Sequence, residues 1–84
     1  MNDTNGILTQ VREVFKASFE VDPQTVSLET GPSQIPGWDS VGHLSLASHL
    51  EQAFKISLDV DEMMEMENVR EIVRIIHTKL AARV

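Results

Sequence analysis

Apolar residues recur at helical spacing in three separate stretches of this chain. In the first, Ile7, Leu8, Val11, Val14, Phe15 and Phe19 fall on an i, i+3, i+4, i+7 stripe, which predicts an amphipathic helix over Thr4–Phe19. Arg12, Glu13 and Lys16 take its other faces. In the second, Val41, Leu44, Ala47, Leu50 and Phe54 trace one face, widened by Leu46 and Ala53, so a helix is expected from Asp39 or Ser40 to about Phe54. In the third, Val69, Ile72, Val73, Ile76 and Leu80 form a clean stripe. That helix starts at Asn68, which has Glu71 at capping-box spacing, and Arg74, Lys79 and Arg83 suit the negative end of its dipole.

The connections are less regular. Glu20 to Trp38 contains all three prolines and two of the four glycines. Asp22-Pro23 supplies an N-cap followed by proline at a first helical position, so a short turn should interrupt this segment. Val26, Leu28 and Ile35 are placed to pin the rest to the core. Ile56 and Leu58 serve as apolar pegs between Lys55 and Val60, and Asp61–Met66 reads as a short helix. No strand alternation and no internal repeat is visible. The expected fold is all-α: a small four-helix bundle of three longer helices and one short one, with a long first loop.

Composition narrows the function. The chain has 84 residues, enough for a single domain over 1–84 with one modest core and hardly a deep enclosed active site. Seven Lys and Arg against thirteen Asp and Glu give a net charge of −6, the wrong sign for neutralising nucleic-acid phosphates or anionic membranes. Basic protein partners are favoured instead. Absence of cysteine removes disulfides, thiolate metal sites and cysteine nucleophiles. The first residues lack a signal-peptide pattern, and no apolar run approaches the roughly 20 residues that cross a bilayer, so a cytoplasmic monomer is the expectation.

The most unusual local sequence is Pro36-Gly37-Trp38-Asp39-Ser40-Val41. Pro-Gly suits the central positions of a type II turn, which would swing the chain into the second helix with Asp39 as N-cap. Ser40 then lies in the first turn, exposed, beside unpaired N–H groups that attract anions. A phosphate ester there would be well placed. The plain alternative is a helix-cap serine. A hydrolytic serine fits poorly: Gly42 supplies the last glycine of Gly-x-Ser-x-Gly, but Trp38 occupies the first position.

Gly37-Trp38-Asp39-Ser40-Val41 and the helix that follows resemble the acyl carrier protein family. The resemblance covers most of the chain, through the run of Ala47, Leu50, Glu51 and Phe54, the short acidic helix and the final stripe beginning at Val69. It implies that Ser40 carries 4′-phosphopantetheine, added from coenzyme A by a phosphopantetheinyl transferase, with Asp39 and Val41 completing the recognition motif. The arm ends in a thiol that holds acyl groups as thioesters, so a cysteine-free chain can serve sulfur chemistry without being an enzyme. It further implies partner enzymes that load and transfer acyl groups through basic docking patches. The residues expected to meet them are His43, Leu44, Glu51, Glu62, Met63 and Glu65.

Some positions depart from that family. Gly42, Ser45, Gln52 and Ala53 stand where fatty-acid carriers commonly have acids, and negative charge gathers downstream in Asp59, Asp61, Glu62, Glu65 and Glu67. A dedicated carrier for a specialised pathway is therefore expected. A peptidyl or aminoacyl carrier of the same fold, or an unmodified helical adaptor binding a partner helix, are the alternatives. His43 and His49 are six apart rather than three or four, which argues against a metal pair. Met63, Met64 and Met66 could line a deformable acyl slot, though gap-filling in the core accounts for two of them, with Met63 or Met64 partly exposed. Trp38 is expected to pin the loop to the bundle.

Overall fold

The computed structural model describes residues 3–82, with side chains from Gly6 onward. Four α-helices, α1 (Asp3–Phe19), α2 (Ser40–Phe54), α3 (Val60–Glu65) and α4 (Val69–Ala81), are joined by a loop carrying 3-10 turns at Pro23–Thr25 and Pro32–Gln34. No strand occurs among the described residues. Phe15, Leu46, Leu50, Met66, Ile72 and Ile76 are the largest fully buried side chains, one or more from each helix or its flank. Close packing of such side chains is the main stabilising term in a domain this small.

The long loop is bound to the bundle through backbone groups. The first N–H groups of a helix have no partner inside it. In α4, Val69 N–H donates to the Thr30 carbonyl (2.9 Å) and Arg70 N–H to the Leu28 carbonyl (3.0 Å). The Asn68 carboxamide accepts from Glu71 N–H, but the Glu71 carboxylate turns to Arg74, so only half of the expected capping box forms. Thr30, nearly fully buried, accepts from Ser27 N–H, and Arg12 Nε donates to the Val26 carbonyl. The Asp22 carboxylate caps the first 3-10 turn at Gln24, as the Asp22-Pro23 pair predicts. A second 3-10 turn, beyond the one the sequence predicts, is closed by Gln34 Oε1, which accepts from Gly31 N–H.

Two expectations need correction. The short helix starts at Val60 rather than Asp61, because Asp59 and Glu62 cap it reciprocally. The buried face of α2 is rotated from the one read off the sequence. Leu46, Ala47, Leu50 and Phe54 are buried, but Val41 is 77% and Leu44 62% exposed, and Ala53 also faces solvent. The position that continues the stripe upward, three and four residues before Leu46 and Ala47, is His43, and it is half-buried. A polar residue heads the buried stripe, which displaces the apolar pair to the surface.

Helix α2 ends with Lys55 in the left-handed conformation (φ 56°), and Ile56 N–H closes the end on the Glu51 carbonyl (3.1 Å). The Glu51 carboxylate accepts from Leu58 N–H (2.8 Å), which anchors the α2–α3 connection. Side-chain ion pairs then hold α3 to α4: Glu62 to Lys79 (2.8 Å) and Glu65 to Arg74 (3.3 Å). Both pairs are partly or largely exposed, so water screens them and each stabilises only weakly.

Candidate functional site at the start of the second helix

The Pro36-Gly37 turn forms as expected. Trp38 N–H donates to the Ile35 carbonyl (3.2 Å) and Gly37 takes φ 91°, a conformation open to glycine at no steric cost. Trp38, the only tryptophan, is buried with its indole 5.1 Å centroid to centroid and edge-on to Phe15. That contact fixes the loop immediately before α2. Asp39 then caps the helix: Oδ1 accepts from Gly42 N–H (2.9 Å) and its carbonyl accepts the first helical bond, from His43 N–H (2.7 Å).

Ser40 is thereby the first helical residue, exposed, with no hydrogen bond on its hydroxyl among the described residues. The backbone N–H groups of Ser40 and Val41 are likewise without partners in the described chain, since Asp39 engages Gly42 and His43 begins the ladder. A free hydroxyl next to free N–H donors at a helix N-terminus suits a covalently attached anion. Beside it opens a surface groove of about 550 Å³ lined by Pro32, Trp38, Ser40, His43, Leu44 and Met66, mostly through apolar atoms.

His43 spends both ring nitrogens inside the chain. Nδ1 accepts from the Trp38 indole N–H (2.8 Å), which leaves Nε2 as the protonated nitrogen donating to the Met63 carbonyl (2.7 Å). The imidazole and indole planes are nearly parallel, 11° apart. This assembly ties the loop, α2 and α3 together, and among the described residues no base bonds Ser40. The signal was present in the sequence as the i, i+3, i+4, i+7 relation of His43 to Leu46, Ala47 and Leu50. His49 bonds Ser18 (2.7 Å) far from His43's partners, and no cluster among the described residues could hold a metal.

The other residues expected at a partner surface divide into two groups. Leu44 is exposed, and with Val41, Val60 and Met64 it makes the large exposed apolar positions among the described residues. They lie next to the two residues, His43 and Met63, that join α2 to α3. Met63 itself is half-buried against the core and Met66 fully buried. The acids are engaged internally: Glu51 on Leu58, Glu62 on Lys79 and on Asp59 N–H, Glu65 on Arg74. The hydrogen bond from Lys79, then that from the Asp59 backbone, holds the Glu62 carboxyl below its ordinary range. The hydrogen bond to Glu71 raises the Arg74 guanidinium in the same way.

A helical bundle with an open serine at this helix start suits a covalently attached group, and comparison with known proteins supplies the class. The phosphopantetheine attachment site family matches residues 7–76, and the chain belongs to it. Over 71 residues, 84% of this chain and 92% of the relative, it is 29% identical to the acyl carrier protein of Campylobacter concisus (strain 13826). Its fold superposes on the solution structure of holo acyl carrier protein from Geobacter metallireducens with a TM-score of 0.81 at 29% identity, covering 90% of this chain and 87% of that one. The protein is thus an acyl carrier protein family member that works through covalently attached 4′-phosphopantetheine and is not itself an enzyme.

Proposed function

We propose that Ser40 is the attachment residue and that the chain presents acyl thioesters to the enzymes of a specialised biosynthetic pathway. The observation that carries this is the free Ser40 hydroxyl at the α2 N-terminus, with the Ser40 and Val41 N–H groups unpartnered beside it. Those donors and the helix dipole favour the phosphate of the arm, and the Asp39 cap keeps them pointed outward. When attached, the arm supplies a terminal thiol that holds acyl groups as thioesters. The chain's own part is to fix the attachment point, keep it exposed and offer a surface that partners recognise.

That surface combines Val41 and Leu44 with Val60 and Met64, exposed on either side of the His43–Met63 link. Because Glu51, Glu62 and Glu65 are engaged inside the chain, docking relies on apolar complementarity, with Asp61 and Glu67 as the acids left to steer a basic partner. This distribution differs from a strongly acidic second helix and supports a dedicated partner set. The test is intact mass before and after incubation with coenzyme A, magnesium and a broad-specificity phosphopantetheinyl transferase. One added phosphopantetheine on the parent and none on Ser40→Ala supports the assignment; addition to Ser40→Ala overturns it. Efficient elongation of the holo form by general fatty-acid synthases would refute the specialised pathway.

A further inference from the structure

We infer that His43 bars the space between α2 and α3 to the cargo, so that acyl groups ride in the surface groove beside Ser40 instead of entering the core; this rests on Ser40 carrying the arm. An apolar acyl group seeks an apolar surface, and two lie within reach of the α2 start. One is the interior between α2 and α3, entered past the top of the buried α2 stripe. His43 occupies that top position, directly above Leu46 and Ala47. Its ring is held at both ends, by Trp38 (2.8 Å) and by the Met63 carbonyl (2.7 Å), so it spans from the loop to α3. Behind it Leu46, Leu50 and Ile72 are closed to solvent.

Passage inward requires displacing the ring, and each half of the cost is polar. The Trp38 N–H and the Met63 carbonyl would both lose their partner against an arriving hydrocarbon, which can replace neither bond. Glu62–Lys79 and Glu65–Arg74 also join α3 to α4, but as solvated pairs they add little to this barrier, which rests on the two bonds of His43. The second apolar surface carries no such barrier. The groove lined by Pro32, Trp38, Asp39, Leu44 and Met66, with His43 in its wall, opens beside Ser40. His43 is therefore a positioning residue: it decides where the cargo sits and leaves the thioester open to partners and to solvent.

The experiment loads the full-length chain with acetyl- or octanoyl-phosphopantetheine from the corresponding coenzyme A thioesters and a broad-specificity transferase. Thioester cleavage by hydroxylamine is then timed and normalised to the free pantetheine thioesters, with methyl NMR shifts recorded on Leu46, Leu50 and Ile72. In the parent, the two normalised rates should agree and the core methyls should stay in place, while Trp38 ring signals move with the octanoyl group. In His43→Ala the octanoyl form should become slower than the acetyl form by about tenfold, the factor that burying two methylene groups supplies. A purely structural His43 would lower stability without moving this ratio. Octanoyl protection in the parent overturns the inference, as does an unchanged ratio in folded His43→Ala. The parent comparison decides even where that variant unfolds. Failure of the chain to gain mass at all overturns the carrier assignment and this inference with it, whereas gain of mass with a protected octanoyl group overturns the inference alone.

Discussion

Gly42 leaves open the volume that the Gly37 carbonyl oxygen occupies: a Cβ at position 42 would fall inside that oxygen and against the Phe19 ring. The first turn of α2, which begins at Ser40, therefore packs directly on the turn that feeds it. Gly42→Ala should force the two apart and destabilise by about 2–4 kcal/mol, within the range of severe packing clashes. Urea unfolding measures this, and a loss below about 0.5 kcal/mol would mean that the loop yields freely.

Replacing His43 by Leu keeps the bulk and removes both polar bonds. The Trp38 indole N–H and the Met63 carbonyl lose the partners they have now. Leaving such groups unsatisfied should cost about 1–3 kcal/mol. In a domain of this size that lowers Tm by roughly 4–8 °C for each kcal/mol. Trp38, the only indole, reports the change directly through its fluorescence; a thermal scan matching the parent would show that the strut contributes nothing to the fold.

Lys55 adopts φ 56° at the α2 C-terminus, where a side chain crowds its own backbone. Lys55→Gly should stabilise by about 0.5–1 kcal/mol, since glycine enters this conformation without steric cost. An increase in the urea midpoint at unchanged slope is the expected reading.

The α3 clamp depends on pH. The Glu62 carboxyl is held below its ordinary range by Lys79 and by the Asp59 N–H, so the folded state favours the ionised form. Its contribution is fully present above the unfolded value, about 4.3, and is lost as pH falls through the lower folded value. Glu62→Gln should lose a small stability increment near neutrality, small because the pair is partly solvated, and converge with the parent as pH falls below about 4.5, which flattens the acid limb by the same increment. Denaturation curves at a series of pH values decide it; an unchanged acid limb in Glu62→Gln would show that other carboxylates carry it.

Ser40→Ala should abolish phosphopantetheine addition while leaving the fold intact. The Ser40 side chain makes no hydrogen bond among the described residues and is exposed, and Asp39 rather than Ser40 caps the helix. A stability change within about 0.5 kcal/mol is expected. Intact mass and a thermal scan on the same sample read both halves.

The helices were legible in the sequence because each carries its own signals. Asp39 ahead of Ser40 and Asn68 ahead of Val69 are capping side chains that satisfy local N–H groups, and both helices begin where those residues place them. The Pro36-Gly37 turn and the Asp22-Pro23 turn are equally local, and Ser40 at a helix start followed from them. All of these depend on bonds between residues within a few positions of one another. The orientation of α2 does not. Val41 and Leu44 fit the apolar stripe on spacing alone, yet they face solvent because His43 takes the inward position. That choice was made by partners distant in the chain, chiefly the Met63 carbonyl twenty residues on. The fate of Glu51, Glu62 and Glu65 was settled likewise, by Leu58, Lys79 and Arg74, once the helices had packed. Residue type and spacing determined the elements and the place of Ser40 at a helix start. Tertiary packing decided which polar groups had to find partners inside, and so which side chains remained at the surface, because a buried donor or acceptor must be satisfied wherever the fold supplies a partner.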